Sequence, residues 1–189
     1  MPILHAPILE QAGFVKSALE PVKSYAYRLD GVDQYFQLSE PINLLVNDEI
    51  TFQTARDAGP AATKQWFASG TGLRINVQAN NKIEEVGGDL YLDGVLVQNY
   101  ITEFPVDGLE HNIKYDITST DVSLVNLGAS ITGFELLSGY VRKLVVKRNG
   151  TVINEIPLTN KAQGATQLPT IGSVSATIVG YNENDWEEV

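Results

Sequence analysis

Residues 27–38 read YRLDGVDQYFQL, an Asp-Gly pair between two short runs in which apolar and polar residues alternate. Such a pair indicates a tight hairpin turn, because both central residues of the favoured turn need a positive φ. The pattern recurs at residues 90–97, LYLDGVLV, and an Asn-Gly pair divides residues 145–156, VVKRNGTVINEI. We therefore expect a β-hairpin at each of these three places.

Alternation with a period of two continues along most of the chain after Tyr25. In residues 72–78, GLRINVQ, the apolar side chains of Leu73, Ile75 and Val77 face one way and the polar ones face the other. This pattern is typical of a half-buried antiparallel strand. The candidate strands are Tyr25–Leu29, Gln34–Leu38, Glu49–Ala55, Gln65–Ser69, Leu73–Gln78, Leu90–Leu92, Val95–Gln98, Asn112–Ile117, Val122–Asn126, Tyr140–Arg148, Val152–Leu158 and Ala176–Tyr181. Short strands at this spacing predict an all-β fold, a two-sheet antiparallel sandwich.

Composition narrows the class of protein. The chain has 189 residues, enough for one domain with a single core. Its 13 Lys and Arg against 23 Asp and Glu give a net charge of −10, so we expect no nucleic-acid partner. The absence of cysteine excludes disulfides and thiolate chemistry. No apolar run of about eighteen residues occurs, and the N-terminus lacks a secretory pattern, so we expect no membrane partner and synthesis in the cytoplasm.

The first 24 residues differ from the rest, since three prolines interrupt them and they lack the period of two. We expect them to form an N-terminal arm, either packed or docked on a neighbouring subunit; disorder is the alternative. Residues 25–189 would form the folded domain. The apolar side chains available for docking are Ile3, Leu4, Ile8, Leu9, Phe14, Val15 and Leu19.

The chain resembles laminin-G-like, concanavalin A-like jelly-roll domains through much of residues 25–189. The motifs that carry this resemblance are LDGVDQY at 29–35, LYLDGVLV at 90–97 and GASITGFELLSGYVRKLVVKRNG at 128–150. Residues 151–189, which include IPL at 156–158, Gly164 and TIVGYNENDW at 177–186, are similar to the ends of such domains in tailed-bacteriophage virion proteins.

This resemblance implies a jelly roll and a non-enzymatic virion structural protein. The expected role is capsid decoration, or that of a tail or fibre-associated subunit. The expected partners are other virion proteins and further copies of the chain, and the location is the virion after synthesis in the host cytoplasm.

A glycan-binding, lectin-like module is the alternative function, with host-surface glycans as partners. Sugar rings stack on exposed aromatic faces, and the candidates for stacking are Trp66, Tyr100 and Trp186. Of these, Tyr100 lies just past a predicted strand and is the one least expected to be buried. The Asp residues at 57, 89, 107, 116 and 121 are scattered in sequence and form no calcium-loop pattern, so we expect neither metal nor cofactor.

A polysaccharide hydrolase is a third, weaker hypothesis. Glu183, Asp185 and Glu188 have a spacing that resembles the catalytic strand of laminarinase-type glycoside hydrolases, which share this fold. They end the chain, however, where we expect a frayed acidic tail with Trp186 packed against the sandwich. The two histidines, His5 and His111, lie in no catalytic motif, and His111 is expected to begin a strand in a structural role. We therefore expect no enzyme.

Overall fold

Strands with alternating burial dominate residues 23–57 and 64–189, the part of the chain that the computed structural model describes. In chain order these strands are β1 (Tyr25–Tyr27), β2 (Leu29–Asp30), β3 (Tyr35–Leu44), β4 (Glu49–Arg56), β5 (Gln65–Gly70), β6 (Leu73–Val77), β7 (Ile83–Val86), β8 (Gly88–Leu92), β9 (Val95–Leu96), β10 (His111–Ile117), β11 (Val122–Leu127), β12 (Ser138–Arg148), β13 (Thr151–Ile156), β14 (Thr166–Gln167), β15 (Ala176–Val179) and β16 (Trp186–Glu188). Helix within these ranges is limited to two 3-10 turns, Lys161–Gln163 and Glu183–Asp185.

The strands form two antiparallel sheets of seven and a short ribbon. Sheet I has the order β13-β12-β4-β10-β8-β9, with β2 paired to the start of β12, and sheet II has the order β14-β15-β3-β11-β5-β6-β7. The ribbon pairs β1 with β16. Every pairing is antiparallel, so the predicted all-β class and the two-sheet antiparallel sandwich are confirmed.

The core lies between the inner faces of the two sheets. Phe52 on β4 and Tyr115 on β10 point inward from sheet I, while Phe36 on β3 and Phe67 on β5 point inward from sheet II, and all four are buried. On β10 the burial alternates as the sequence predicts, with Ile113, Tyr115 and Ile117 inside and the residues between them outside. One cluster of buried apolar side chains therefore joins both layers.

Two of the three predicted hairpins are confirmed. Asp93 and Gly94 have φ values of +50° and +82° and connect the paired residues Leu92 and Val95. Asn149 and Gly150 have φ values of +49° and +76° and connect Arg148 with its partner Thr151. Positive φ at both central residues is what a two-residue hairpin turn requires.

The prediction of a hairpin at residues 27–38 is wrong. Leu29 and Asp30 form β2 and pair with β12 in sheet I, whereas β3 pairs with β11 and β15 in sheet II. The Asp-Gly turn therefore crosses from one sheet to the other. Asp30 Oδ1 accepts hydrogen bonds from the amides of Val32 and Asp33, at 2.8 and 3.2 Å, which holds the turn without a strand partner.

The C-terminal end is also ordered differently from the prediction of a frayed tail. Trp186–Glu188 pairs with Tyr25–Tyr27, and the Val189 amide donates to the Ser24 carbonyl at 2.9 Å. Lys23 adds an ion pair with Glu188 at 2.7 Å. The first and last strands of the described residues therefore pair with each other. The apolar arm residues Ile3, Leu4, Ile8, Leu9, Phe14, Val15 and Leu19 lie outside the described residues, and their docking role stays a prediction.

Substitution of Gly70 and of Gly94 compares the effect of a steric clash with the effect of backbone strain. A Cβ on Gly70 would lie 1.7 Å from the Ser123 carbonyl oxygen, whereas a Cβ on Gly94 would meet nothing within 4 Å. Gly94 has a positive φ and Gly70 does not. We expect Gly70→Ala to lower the free energy of unfolding by about 3 kcal/mol through the clash, and Gly94→Ala by about 1–2 kcal/mol through strain. Chemical denaturation of both variants checks this order, which equal losses would contradict.

Candidate functional site

One stretch of the described chain exposes an unusual amount of apolar surface. Six of its fifteen exposed large apolar side chains lie within residues 95–109, which we call the apolar segment, and they are between 41% and 71% exposed. The segment begins with β9, the two-residue edge strand of sheet I. The six exposed side chains are Val95, Leu96, Tyr100, Ile101, Val106 and Leu109. Grouped exposed apolar side chains mark interaction sites on folded proteins.

The backbone of the apolar segment is held by hydrogen bonds and by one side chain buried in the core. Phe104 is buried in the core, with its ring centroid 4.6 Å from that of Phe67. The amide of Tyr100 donates to the Ile83 carbonyl at 2.8 Å, and Lys82 Nζ donates to the Ile101 carbonyl at 2.9 Å. The residues that expose apolar side chains here therefore have a backbone that hydrogen bonds hold in place.

A buried carboxylate holds Tyr100. Glu84 on β7 is almost fully buried, and its Oε1 accepts a hydrogen bond from the Tyr100 hydroxyl and another from Arg74, each at 2.7 Å. Its Oε2 accepts from Asn76 at 3.0 Å and from Gln78. We call these residues, together with Trp66, the Glu84 cluster.

Strand register assembles the Glu84 cluster. Trp66 on β5 lies opposite Asn76 on β6, and Asn76 lies opposite Glu84 on β7, so the three form one row on the outer face of sheet II. Arg74 and Gln78 lie two residues either side of Asn76 and therefore share that face. Tyr100 reaches the row from the loop, with a φ of +60°. A non-glycine residue in this conformation persists only where the surroundings enforce it.

The Glu84 carboxylate is a structural anion. Burial alone would raise its pKa, but the hydrogen bonds from Tyr100, Asn76 and Arg74 outweigh burial and lower the pKa to about 2. The group is thus ionised at any physiological pH. It cannot serve as a general acid, and its oxygens are already occupied as acceptors.

The structure brings together two of the three residues predicted to stack on sugars. Trp66 and Tyr100 are joined through Arg74 and Glu84, but only Tyr100 is exposed, at 56%. Trp66 is 8% exposed, its indole N–H donates to Glu135 at 2.7 Å, and the Arg74 guanidinium lies 5.5 Å from its ring centroid. Trp66 therefore has no free face for a sugar, because a cation and the sheet cover it.

The third predicted stacking residue, Trp186, lies away from this cluster. It is 6% exposed and packs edge-on against Tyr27, with centroids 5.3 Å apart. The prediction that Trp186 packs against the sandwich is confirmed. Because its ring is buried, it offers no surface on which a sugar can stack.

The carboxylates with laminarinase-like spacing do not form the expected row on one strand. Glu183 and Asp185 lie in a 3-10 turn and do not project from one strand face. Asp185 Oδ2 accepts a hydrogen bond from the Gln34 side chain at 2.6 Å, and Glu188 pairs with Lys23. Asp185 and Glu188 therefore have partners within the fold, whereas Glu183 is exposed.

His111 takes part in a site that the sequence did not reveal. It begins β10, as predicted, and its buried ring lies between two carboxylates, with Nδ1 2.7 Å from Asp93 and Nε2 3.2 Å from Asp107. Burial alone would lower the pKa of His111, but the hydrogen bonds and charges of both carboxylates raise it above its ordinary value. Asp93 belongs to the β8–β9 turn and Asp107 to the apolar segment, so the imidazole ties these two pieces together.

The described residues contain no cluster of three or more His, Asp or Glu side chains that could hold a metal ion. Across residues 23–57 and 64–189, no helix has the length and apolar character needed to span a bilayer. Comparison of the chain with protein-family models, with curated proteins and with solved structures finds no match.

The lowered pKa of Glu84 predicts acid sensitivity. Because its folded-state pKa of about 2 lies below the ordinary 4.5, ionised Glu84 stabilises the fold above about pH 4.5, and this contribution is lost as the pH falls toward 2. We expect Glu84→Gln to lower the free energy of unfolding at neutral pH by about 2–3 kcal/mol. The variant should also lose less stability than the wild type on acidification, as followed by denaturation at several pH values. The exposed Glu183→Gln is the control, and a wild-type acid response in Glu84→Gln would contradict the assignment.

The raised pKa of His111 predicts the opposite pH dependence. The protonated ring stabilises the fold fully below pH 6.5, and this contribution is lost as the pH rises through the higher folded-state pKa. We expect His111→Gln to be less stable than the wild type by about 1–2 kcal/mol in mildly acidic buffer, with the gap narrowing at alkaline pH. An NMR titration of the His111 ring should also show its pKa falling in Asp107→Asn. An unchanged pKa in that variant would contradict the paired geometry.

Proposed function

We propose that this protein is a non-catalytic structural subunit that docks on other proteins through the apolar segment. The proposed setting is the virion of a tailed bacteriophage, as a capsid decoration protein or a tail or fibre-associated subunit. The observation that carries the proposal is the set of exposed apolar side chains on a backbone that hydrogen bonds hold in place.

Energetics favour docking at this surface. Burying one apolar side chain gains roughly 1.5–3 kcal/mol, so several together would hold a subunit in place. Little ordering is required on binding, because Lys82, Phe104 and the Glu84 cluster already fix the segment. Tyr100 is also of the residue type that most often dominates interface energies.

The polar groups of the described chain support a non-catalytic role. Glu84 is saturated with donors, and Asp93 and Asp107 both bond to His111. Asp185 bonds to Gln34 within the fold. These carboxylates hold structure together, which supports a non-catalytic role over the hydrolase hypothesis.

The phage setting rests on the order of motifs along the chain. The Asp-Gly turn at 93–94 and the ending TIVGYNENDW appear in the order that the jelly-roll domains of such virion proteins have. Both motifs have a structural role here. The first forms a hairpin turn, and the second contributes Trp186 to the strand that pairs with β1. Contact between copies through the arm residues 3–19 would add a second apolar attachment and make the assembly multivalent.

A lectin-like module is the alternative function. The observation that favours it is the exposed Tyr100 ring, held in a fixed orientation beside the Arg74 guanidinium. A sugar could stack on this ring while its hydroxyls bond to the cation. This alternative requires that Tyr100→Ala abolish sugar binding.

Charge placed in the apolar segment should prevent docking. Ile101 and Leu109 are each 63% exposed, so Ile101→Glu combined with Leu109→Glu should leave the fold intact. We expect the double variant to reduce the amount of protein on purified phage particles by more than about tenfold, since it removes two apolar contacts and buries charge. Tagged protein expressed during infection and quantified on gradient-purified particles gives the measurement.

The matched control is Leu168→Glu, which changes an apolar side chain of 54% exposure outside the segment. It should bind as the wild type does. Equal occupancy by the double variant would place the docking surface elsewhere, and absence of the wild-type protein from particles would reject the virion role.

A further inference from the structure

The apolar segment starts at an edge of sheet I. In the described part of the chain, β9 is the last strand in the order of that sheet, and its residues Val95 and Leu96 are 71% and 54% exposed. An apolar edge strand that stays open to solvent promotes aggregation, and folded proteins often cover such an edge with a loop or another segment. The edge at β9 therefore favours a covering segment of matching apolar character.

The charges of the apolar segment are already compensated. Glu103 and Asp107 are its only acidic residues, and it contains neither Lys nor Arg. Glu103 pairs with Lys82 at 2.7 Å, and Asp107 lies 3.2 Å from the ring of His111. An apolar chain that lies on this segment would therefore bury no unpaired carboxylate, which is the main cost of covering a charged surface.

The N-terminal arm has the composition of such a covering segment. Nine of residues 1–22 are Met, Ile, Leu, Val or Phe, and only Glu10, Lys16 and Glu20 are charged. The arm is thus nearly neutral in a chain whose net charge is −10. An extended chain spans about 3.3 Å per residue, so residues 14–22 alone could reach about 30 Å from the domain. The arm is therefore apolar enough and long enough to lie along residues 95–109.

Hydrogen bonds connect the start of the domain to the far end of the apolar segment. Ser24 Oγ accepts from Arg142 Nη1 at 3.1 Å, and Nε of the same arginine donates to Glu110 Oε2. Glu110 directly follows Leu109, the last residue of the segment, which is 63% exposed. The position of Ser24 is itself fixed, because its carbonyl accepts from the Val189 amide at 2.9 Å. Residues 1–22 therefore leave the domain one arginine away from the apolar segment.

We propose that the N-terminal arm covers the apolar segment of its own chain in the free subunit. The large apolar side chains of the arm then pack on Tyr100, Ile101, Leu109 and their exposed neighbours. The point of attachment decides between the same chain and another copy. A segment tethered beside its site meets that site at an effective concentration on the order of millimolar, above the concentration of the free protein in solution.

The covered surface is the one to which we assign docking. When the subunit docks, the arm leaves the segment, and its apolar side chains become free to contact a neighbouring copy; this step rests on the proposed function. Covering of the segment in the free protein does not rest on it and is measured without particles. The two hypotheses can therefore fail independently of each other.

Paramagnetic NMR of the full chain tests the contact. Because the chain has no cysteine, Ala12→Cys provides a single site for a nitroxide label and keeps every large apolar side chain of the arm. We expect the label to reduce the peak intensities of the amides in residues 95–109 by more than half, relative to the chemically reduced label. Unchanged intensities there, or losses confined to other strands such as β4 and β12, would overturn the proposal.

A mixed sample distinguishes the arm of the same chain from the arm of a second copy. Nitroxide-labelled chain without isotope enrichment is mixed with isotope-enriched wild-type chain, so that only contacts between copies reduce the observed intensities. We expect no loss in residues 95–109 of this sample. A loss as large as in the singly labelled chain would assign the arm to a second copy and reject the proposal.

Charge in the segment should release the arm. In the Ala12→Cys background, Ile101→Glu combined with Leu109→Glu should restore the intensities of the remaining amides in residues 95–109, because charge replaces two apolar contacts. The matched control is Leu168→Glu in the same background, at a position of 54% exposure outside the segment. This control should leave the loss of intensity as it is, and restoration by the control would contradict the proposal.

Charge in the arm should have the same effect as charge in the segment. Ile8→Glu combined with Leu9→Glu, again with the label at position 12, changes no residue of the described domain and so does not depend on its folding. We expect this variant also to restore the intensities in residues 95–109. Losses that persist in both double variants would show that apolar contact does not hold the arm there, and would overturn the proposal.

Discussion

Strand register is the constraint on which the rest of this structure depends. The two sheets bury their inner faces against each other, so each strand must place its apolar residues on one side. A slip of one residue would turn Ile113, Tyr115 and Ile117 of β10 toward solvent and bring Lys114 into the core. Burial of the core therefore fixes, as a consequence, which polar residues lie together on the outer faces.

Two rows of polar residues on the outer faces are products of this register. On sheet II, Trp66, Asn76 and Glu84 line up across three strands, and the row assembles the cluster that holds Tyr100. On sheet I, Gln53 lies directly opposite Asn112 across the β4–β10 ladder, and both residues line a groove on the outer face of that sheet. Neither row is visible as a motif, because its members are distant in sequence.

The difference between local and remote contacts explains what the sequence could predict. The turns at Asp93-Gly94 and Asn149-Gly150 depend on local backbone chemistry, and the alternation along β6 and β10 depends on burial, so both were predictable. The Asp30-Gly31 turn has the same local chemistry, but whether it joins paired strands is decided by competition with β12, which is remote. Likewise the burial of Trp66 depends on Arg74 and Glu135, and the environment of His111 depends on Asp93 and Asp107, which only the fold brings near.

The β8–β9 turn lies between a groove on the outer face of sheet I and the apolar segment. Gly94 lines the groove on sheet I, Asp93 accepts from His111 and from the Asn112 amide, and Val95 begins the apolar segment. Asn112 therefore takes part in the groove through its side chain and in the turn through its backbone. Because Asp93 is bonded to both His111 and Asn112, the start of β10 holds the turn in position. The start of β10 therefore fixes the edge of sheet I from which the proposed docking surface begins, since the Asp93 amide also donates to the Asn112 carbonyl at 2.9 Å.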